Sequence, residues 1–564
     1  MKDSRIRGAD IVIKSLIAEN AKFIFGYPGG AIMPVYDALY DYEDQIQHIL
    51  TRHEQGAIHA AQGYARVSGK VGVCMATSGP GATNLITGIA DALIDSTPLV
   101  CITGQVASHL LGTDAFQETD VVGISMPATK WNIQVQRVED IAPAIARGFH
   151  IARSGRPGPI LIDITKDAQV ALGEFNYVPC LNIRSYKPYP KVSDREVEDA
   201  AALINQAERP YVLYGQGVII GKAEKELEAF LNKTGIPAAC TLLGTGALSE
   251  EHPNYVGKLG MHGNYGPNLL TNKCDVLIAV GMRFDDRVTG DLKRYAKQAK
   301  VIHLELDCAE IDKNVKCAVS VLGDCKVSLA KLTEQVNSAR HDAWIAKFRE
   351  LEAEEKRVVV GNDLLPTKEG LTMGEVIRHI NEFKADDAIL VTDVGQHQMV
   401  AWRYFEYKTT RTQVTSGGLG TMGFALPAAL GAQLHDFNRQ VICVVGDGGI
   451  QMTIQEFGTI MQTKAPVKVV LLNNNFLGMV RQWQQLFFDK RYSFTELENP
   501  DFVKIAEAYR FKVQKVEKRD DLREAVAEMF IHDGPYFLEV VVEKEDNVFP
   551  MIASGSSVEE VRLS

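Results

Sequence analysis

The chain has 564 residues, 46% hydrophobic and 23% charged, which is material for roughly three globular domains of ~150 residues each. Its 60 basic and 71 acidic residues give a mildly acidic balance, and no long basic run supplies the footprint of a nucleic-acid binder. No apolar run approaches the ~20 residues needed to cross a bilayer, and the N-terminus lacks the apolar core of a signal peptide. Nine cysteines lie scattered without a Cys-x-x-Cys pair, several inside apolar runs, so a cytoplasmic protein with reduced core thiols is expected.

Ala9, Val12, Ile13, Leu16 and Ile17 form the stripe of an amphipathic helix, so the fold is expected to start almost at once. "AKFIFGYPGG" reads as a buried strand ending in a turn, with Pro34 suited to the first turn of the next helix. "VGVCMA", "PLVCITG" and "GPILIDI" then alternate with helical segments, the signature of parallel βαβ construction. Residues 1–170 are assigned to this first domain. Pro179, Pro188 and Pro190 mark a linker, and Ser193 followed by Glu196 resembles a capping box. A second domain, 190–335, repeats the pattern in "PYVLYGQGV", "CDVLIAVGMRFDD", "KVIHLELD" and "VSVLGD". The charged helical stretch "AWIAKFRELEAEEKRVV" leads to a third, 368–550, containing "AILVTDVGQ", "VICVVGDGGI", "KVVLLNNN" and "YFLEVVVE". A polar tail, 551–564, is expected to order only over an occupied site. The predicted class is α/β, with three doubly wound parallel-sheet domains.

Two runs of the third domain end on oxygen-bearing side chains. Ligands gather beyond the carboxyl ends of parallel strands, and a strand–helix–strand unit sets consecutive strands ~4.8 Å apart. Asp447 and Asn474 can therefore bring two hard oxygens to one point, as a magnesium ion requires, with phosphates and water completing the shell. The flanking glycines would let backbone amides approach a diphosphate. Gly-Asp-Gly alone is most often a turn; the pairing of the two motifs in one βαβ unit makes the signal specific. At these residues the chain resembles the thiamine diphosphate enzymes. The resemblance implies Asp447, Asn474 and the Phe476 carbonyl as metal ligands, with Gly446, Gly448 and Gly449 around the diphosphate.

The same resemblance directs attention to "RHEQGAIHAAQGYAR", where Glu54 stands on a small, apolar helix. In the family a buried glutamate shifts the cofactor's aminopyrimidine to its imino form, and it comes from one subunit while the diphosphate site comes from another. The active unit is thus expected to be at least a homodimer. In "SGGLGTMGFALPAALGA", Met422 matches the wedge that bends the cofactor and Gly420 the backbone acceptor of its pyrimidine. Gly395, Gln396, His397 and Met479 match further cofactor contacts.

Taken together, "GYPGGAIMPVYDAL", "TSGPGATN", "GTDAFQETDVVGIS", "GMHG", "RFDDRVTG" and "NNNFLGMVRQWQ" resemble the acetohydroxyacid synthase (acetolactate synthase) family over about residues 9–550. The family adds pyruvate to thiamine, releases carbon dioxide and transfers the hydroxyethyl carbanion to a second 2-keto acid, giving 2-acetolactate or 2-aceto-2-hydroxybutyrate, the first common step of branched-chain amino acid synthesis. The resemblance implies Gly30 and Gln117 at the reaction centre, and Arg287, Trp483, Lys166, Phe116 and Val480 around the substrates. It also implies FAD in the central domain, against Gly215, Gly217, Gly260, Met261, His262, Gly281, Arg283, Asp307 and Asp324. A tetramer and a small regulatory subunit occur in the family. A pyruvate oxidase-type thiamine and FAD enzyme is the alternative. A nicotinamide dehydrogenase would leave Glu54, Asp447 and Asn474 without work.

Overall fold

The structure, a computed structural model, describes residues 5–564. Three six-stranded sheets, each wholly parallel, succeed one another along the chain. The first orders its strands Gln47–Leu50, Phe23–Gly26, Gly72–Ala76, Leu99–Gln105, Pro159–Thr165 and Trp131–Val135. Its central strands are buried on both faces, which is why they read as continuous apolar runs. Beyond residue 170, the short strand Leu172–Glu174 turns back to pair with Arg5–Arg7, so this body continues to Glu174.

The second sheet centres on Pro210–Tyr214 and Val276–Val280, and the third on Val441–Gly446 and Lys468–Asn473. Ser193 caps the helix Asp194–Asn205 by accepting from the Glu196 backbone N–H at 3.4 Å. The return half of the expected box is replaced, because Glu196 accepts from Leu322 N instead. All nine cysteines are free, six of them buried, and no helix among the described residues is long and apolar enough to cross a membrane.

The first and third domains share one apolar core, running from Phe25 and Leu99 through Phe424 to Val445 and Phe457. Its axis is a pair of helices, Glu54–Ser68 and Ala425–His435. A Cβ on Gly63 would overlap the Ala428 carbonyl, and one on Gly431 the Ala60 carbonyl. The two backbones therefore touch, and since 63 meets 428 while 60 meets 431, the helices run antiparallel. Gly63→Ala forces them apart; a loss of about 1–3 kcal/mol or more is expected, read as a lowered thermal midpoint together with weakened docking of the two domains.

The polar tail is ordered against the central domain. Met551–Ile552 pairs with Val561–Arg562, Ile552 N donates to Met261 O, and Glu559 and Glu560 pair with Lys273 and Arg294. A hairpin and two ion pairs hold it there.

Candidate active site

Gly446 faces Leu472 in neighbouring parallel strands, so Asp447 and Asn474 leave the sheet side by side. Both are buried. Asp447 opens its helix, and its Oδ2 accepts 2.7 Å from Asn499 Nδ2. The same Asn499 amide reaches Asn473 and Asn475, clamping the two strand exits together. Burial pushes the Asp447 carboxyl up to about 6, against the hydrogen bond from Asn499, and a divalent cation beside it would relieve that penalty. Among the described residues no cluster of three His, Cys, Asp or Glu is placed to hold a metal. A cation here would rest on Asp447, the Asn474 amide and the Phe476 carbonyl, a sparse set suited to magnesium that keeps phosphate and water ligands.

His397 explains two of the glycines. A Cβ on Gly395, at φ +151°, would lie 2.9 Å from its ring, and one on Gly446 would lie 2.8 Å away. The ring is packed between these backbones, neutral because burial drives its pKa to about 3, and its Nε2 has no hydrogen-bond partner. The neighbouring Gln396 Oε1 is likewise unpartnered. Such orphaned buried atoms beside Asp447 fit a polar ligand. Gly448 lies 3.5 Å, at its Cβ position, from the Met422 methyl. Asp393, unnoticed in the sequence, accepts from Val394 N, Gly423 N and Ala425 N and fills the space a Cβ on Gly449 would need. It ties the Met422 loop to the Asp447 turn. Gly420, at φ +72°, has only the Val394 side chain, 3.9 Å away, beside its Cβ position.

A cavity of about 690 Å³ separates the second and third domains, a size proper to a ligand site. From the second domain come Gly217, Gly260, Met261, His262, Gly281, Arg283, Arg287 and Asp324. From the third come Gly395, Gly420, Met422, Met479, Val480 and Trp483. His262 is buried near the carbonyls of Val548 and Pro550 without a well-formed hydrogen bond to either ring nitrogen. Burial and the nearby Arg403 and Arg287 lower its pKa to about 4. Arg287 is 59% exposed and only 3.9 Å from Asp286, a loose pair worth little. Asp285 instead accepts from the Arg287 and Val288 backbone. The guanidinium is thus left to face the cavity.

Gly215 and Asp307 do not line this cavity. Gly215 is needed because Gly281 and Met282 press against it, and Asp307 pairs with Arg156 at 3.3 Å while capping Ala309. Arg156, Glu305 and Leu306 line the wall instead. Burial raises the Glu305 carboxyl to about 7. Its charged form therefore costs stability, a cost absent below the unfolded pKa of ~4.3 and complete once pH exceeds the folded value. Glu305→Gln is expected to stabilise the protein by up to ~3 kcal/mol at pH 8 and to change nothing at pH 4, as urea titrations at the two pH values would show.

The first-domain candidates form a separate group. Glu54 is buried in the first turn of its helix, with Asn84 Nδ2 3.0 Å from Oε2. Gly81 of "TSGPGATN" adjoins its other oxygen, and Gly79 abuts Gln117, which holds φ +60°. Gly30 has no neighbour within 4 Å of its Cβ position. Phe116 is 88% exposed, and Lys166 is exposed at the start of its helix. None of these residues lines the central cavity.

The antiparallel helix pair explains the separation. Ala425 lies level with Arg66, whose guanidinium donates to Thr415 O and pairs with Asp95, the acceptor of Gly417 N and Gly418 N. Glu54 is twelve residues back along that helix, about 18 Å at 1.5 Å per residue. The Met422 loop and Glu54 thus occupy opposite ends of one rod.

Three families match in chain order: "Thiamine pyrophosphate enzyme, N-terminal TPP binding domain" at residues 6–124, its "central domain" at 197–332 and its "C-terminal TPP binding domain" at 393–540. Over 99% of both chains, this one is 45% identical to "Acetolactate synthase isozyme 2 large subunit" of Escherichia coli. It is 44% identical to "Acetolactate synthase large subunit" of Corynebacterium glutamicum, over 99% of this chain and 90% of that one. "Probable acetolactate synthase large subunit" of Methanocaldococcus jannaschii is 42% identical over 99% and 95%.

Proposed function

This chain belongs to the thiamine pyrophosphate enzymes and, among them, to the acetolactate synthase large subunits, and from that premise we propose how its residues divide the work. The enzyme joins two 2-keto acids with loss of carbon dioxide: pyruvate with pyruvate to 2-acetolactate, or with 2-ketobutyrate to 2-aceto-2-hydroxybutyrate. Bound thiamine diphosphate supplies an acidic ring carbon that adds to a keto group and holds the electron pair left when carbon dioxide departs.

The residues supply the rest. Asp447, Asn474 and the Phe476 carbonyl would hold magnesium beside the diphosphate. Gly446, Gly448, Gly449, Gln396 and His397 border it, with Gly395 and Gly446 shaped by the imidazole. Met422 would wedge between the cofactor's rings, with the Gly420 backbone at its pyrimidine edge and Met479 a further contact. Glu54 exchanges a proton with the pyrimidine from a dry pocket where Asn84 fixes one oxygen. Gly30, Gln117, Phe116 and Lys166 complete that wall. Arg287 binds the acceptor's carboxylate through paired N–H donors, and Trp483 and Val480 shape the room for its side chain. FAD would be held in the central cavity by Gly217, Gly260, Met261, His262, Gly281, Arg283 and Asp324, as a structural group in a reaction without net redox change.

The observation that carries this reading is the side-by-side exit of Asp447 and Asn474 from neighbouring strands. The ~18 Å of helix between Glu54 and the level at which helix Ala425–His435 begins supports a homodimer at minimum, each site completed by Glu54 of a second chain. The words "large subunit" in the relatives' names support a small regulatory partner. The absence of a long apolar helix among the described residues accords with a cytoplasmic setting. Purified protein with pyruvate, thiamine diphosphate and magnesium is expected to yield acetolactate with the flavin left oxidised. Acetate with bleached flavin would mark a pyruvate oxidase instead.

A further inference from the structure

A second cavity, of about 510 Å³, opens where all three domains meet. It lies at the amino ends of the first-domain strands, beside Ala21, Val71 and Thr97, on the edge of the sheet away from Glu54. Its wall carries a marked excess of positive charge. Arg66 and Arg153 are neutralised by Asp95 and Glu19. Arg411, Lys70 and Lys222 also line it, and among the described residues none of these three has a carboxylate within ion-pair distance. Arg411 is the telling one. Its guanidinium is largely buried, donates to the Arg66 and Ile219 carbonyls, and feels Glu224 only at longer range. A desolvated cation without a counter-charge is costly.

Unused hydrogen-bonding capacity points to the same place. Thr97 Oγ1, Arg66 Nε and both ends of the Gln413 amide are buried without partners, and all three side chains line the cavity. In a well-packed protein such atoms ordinarily find a bond.

We propose that this cavity is a second ligand site, for a phosphate-bearing anion of at least two negative charges held by Arg411, Lys70 and Lys222. A keto acid carries a single charge and would leave two cations unmatched, whereas phosphate meets a guanidinium fork and separate ammonium groups at once. The volume is ample for an organic phosphate as well as for an inorganic one. Seven residues, Arg153, Gln216 and Ile220 among them, line both this cavity and the central one, so the two cavities adjoin and an occupant touches the helix that follows Gly215 and borders the flavin region.

The test is calorimetric titration of the holoenzyme, saturated with thiamine diphosphate, magnesium and FAD, with inorganic phosphate, pyrophosphate and adenosine 5′-monophosphate at constant ionic strength. Saturable binding of any of the three is expected, weakened at least about tenfold in a Lys70→Ala/Lys222→Ala variant with unchanged acetolactate turnover. Tighter binding of the nucleotide assigns the site to organic phosphates; tighter binding of phosphate or pyrophosphate assigns it to inorganic ones. Absence of saturable binding by all three, or equal affinity in the double variant, overturns the proposal.

Discussion

Glu54→Gln is expected to leave the fold and cofactor binding intact and to lower kcat by about 10²–10⁴-fold, the contribution of a positioned acid–base group. The amide has the carboxylate's shape and keeps an oxygen for Asn84, which now donates at 3.0 Å to Oε2, so helix Glu54–Ser68 has no reason to move. What is lost is the ability to exchange a proton in a buried place. The loss is therefore expected in kcat, with KM for pyruvate little changed. A matching fall in thiamine diphosphate affinity would show instead that Glu54 serves binding.

Asp447→Asn is expected to act on the other term. It removes the only formal negative charge among the three proposed metal ligands while preserving an oxygen for Asn499. Magnesium and diphosphate affinity fall together, and turnover drops by about 10³-fold or more at ordinary magnesium concentrations, the scale of an electrostatic anchor in a dry site. The metal-free variant is expected to be no less stable than the parent. Burial has already raised the Asp447 carboxyl to about 6, so its charge destabilises the metal-free fold. That penalty is absent below the unfolded pKa of ~3.9 and complete above the folded value. Tryptophan quenching by thiamine diphosphate and chemical denaturation at pH 7.5 separate the two effects.

The three sheets could be read from the sequence because a parallel strand buried on both faces must be an apolar run, and several of these, such as Val276–Val280, Val441–Gly446 and Lys468–Asn473, run straight into or end on Gly or Asn. Asp447 and Asn474 were legible for the same reason. Other parts depend on residues far apart in sequence. Nothing local says that Gly63 meets Ala428, or that the helices bearing them run antiparallel, yet that arrangement sets Glu54 apart from Met422. Gly446 suggested room for phosphate; the structure adds the ring of His397, packed against both Gly446 and Gly395, which local pattern cannot reveal. Asp307 looked like a strand-end ligand, but Arg156, 151 residues away, takes it, and Glu305 lines the cavity in its place. Asp393 ended a strand in the same manner as Asp447 and was findable by that rule. Asn499 stands in no periodic segment and left no such signal.

In the proposed dimer, Glu54 of one chain completes the site of another. Mixing the Glu54→Gln and Asp447→Asn chains tests this, since each alone is nearly inactive. Random reassociation of dimers places both lesions in one site of every mixed pair and leaves the other site intact. The mixture is then expected to recover about a quarter of the parental turnover. A mixture that forms mixed dimers yet remains as inactive as its components would contradict the account.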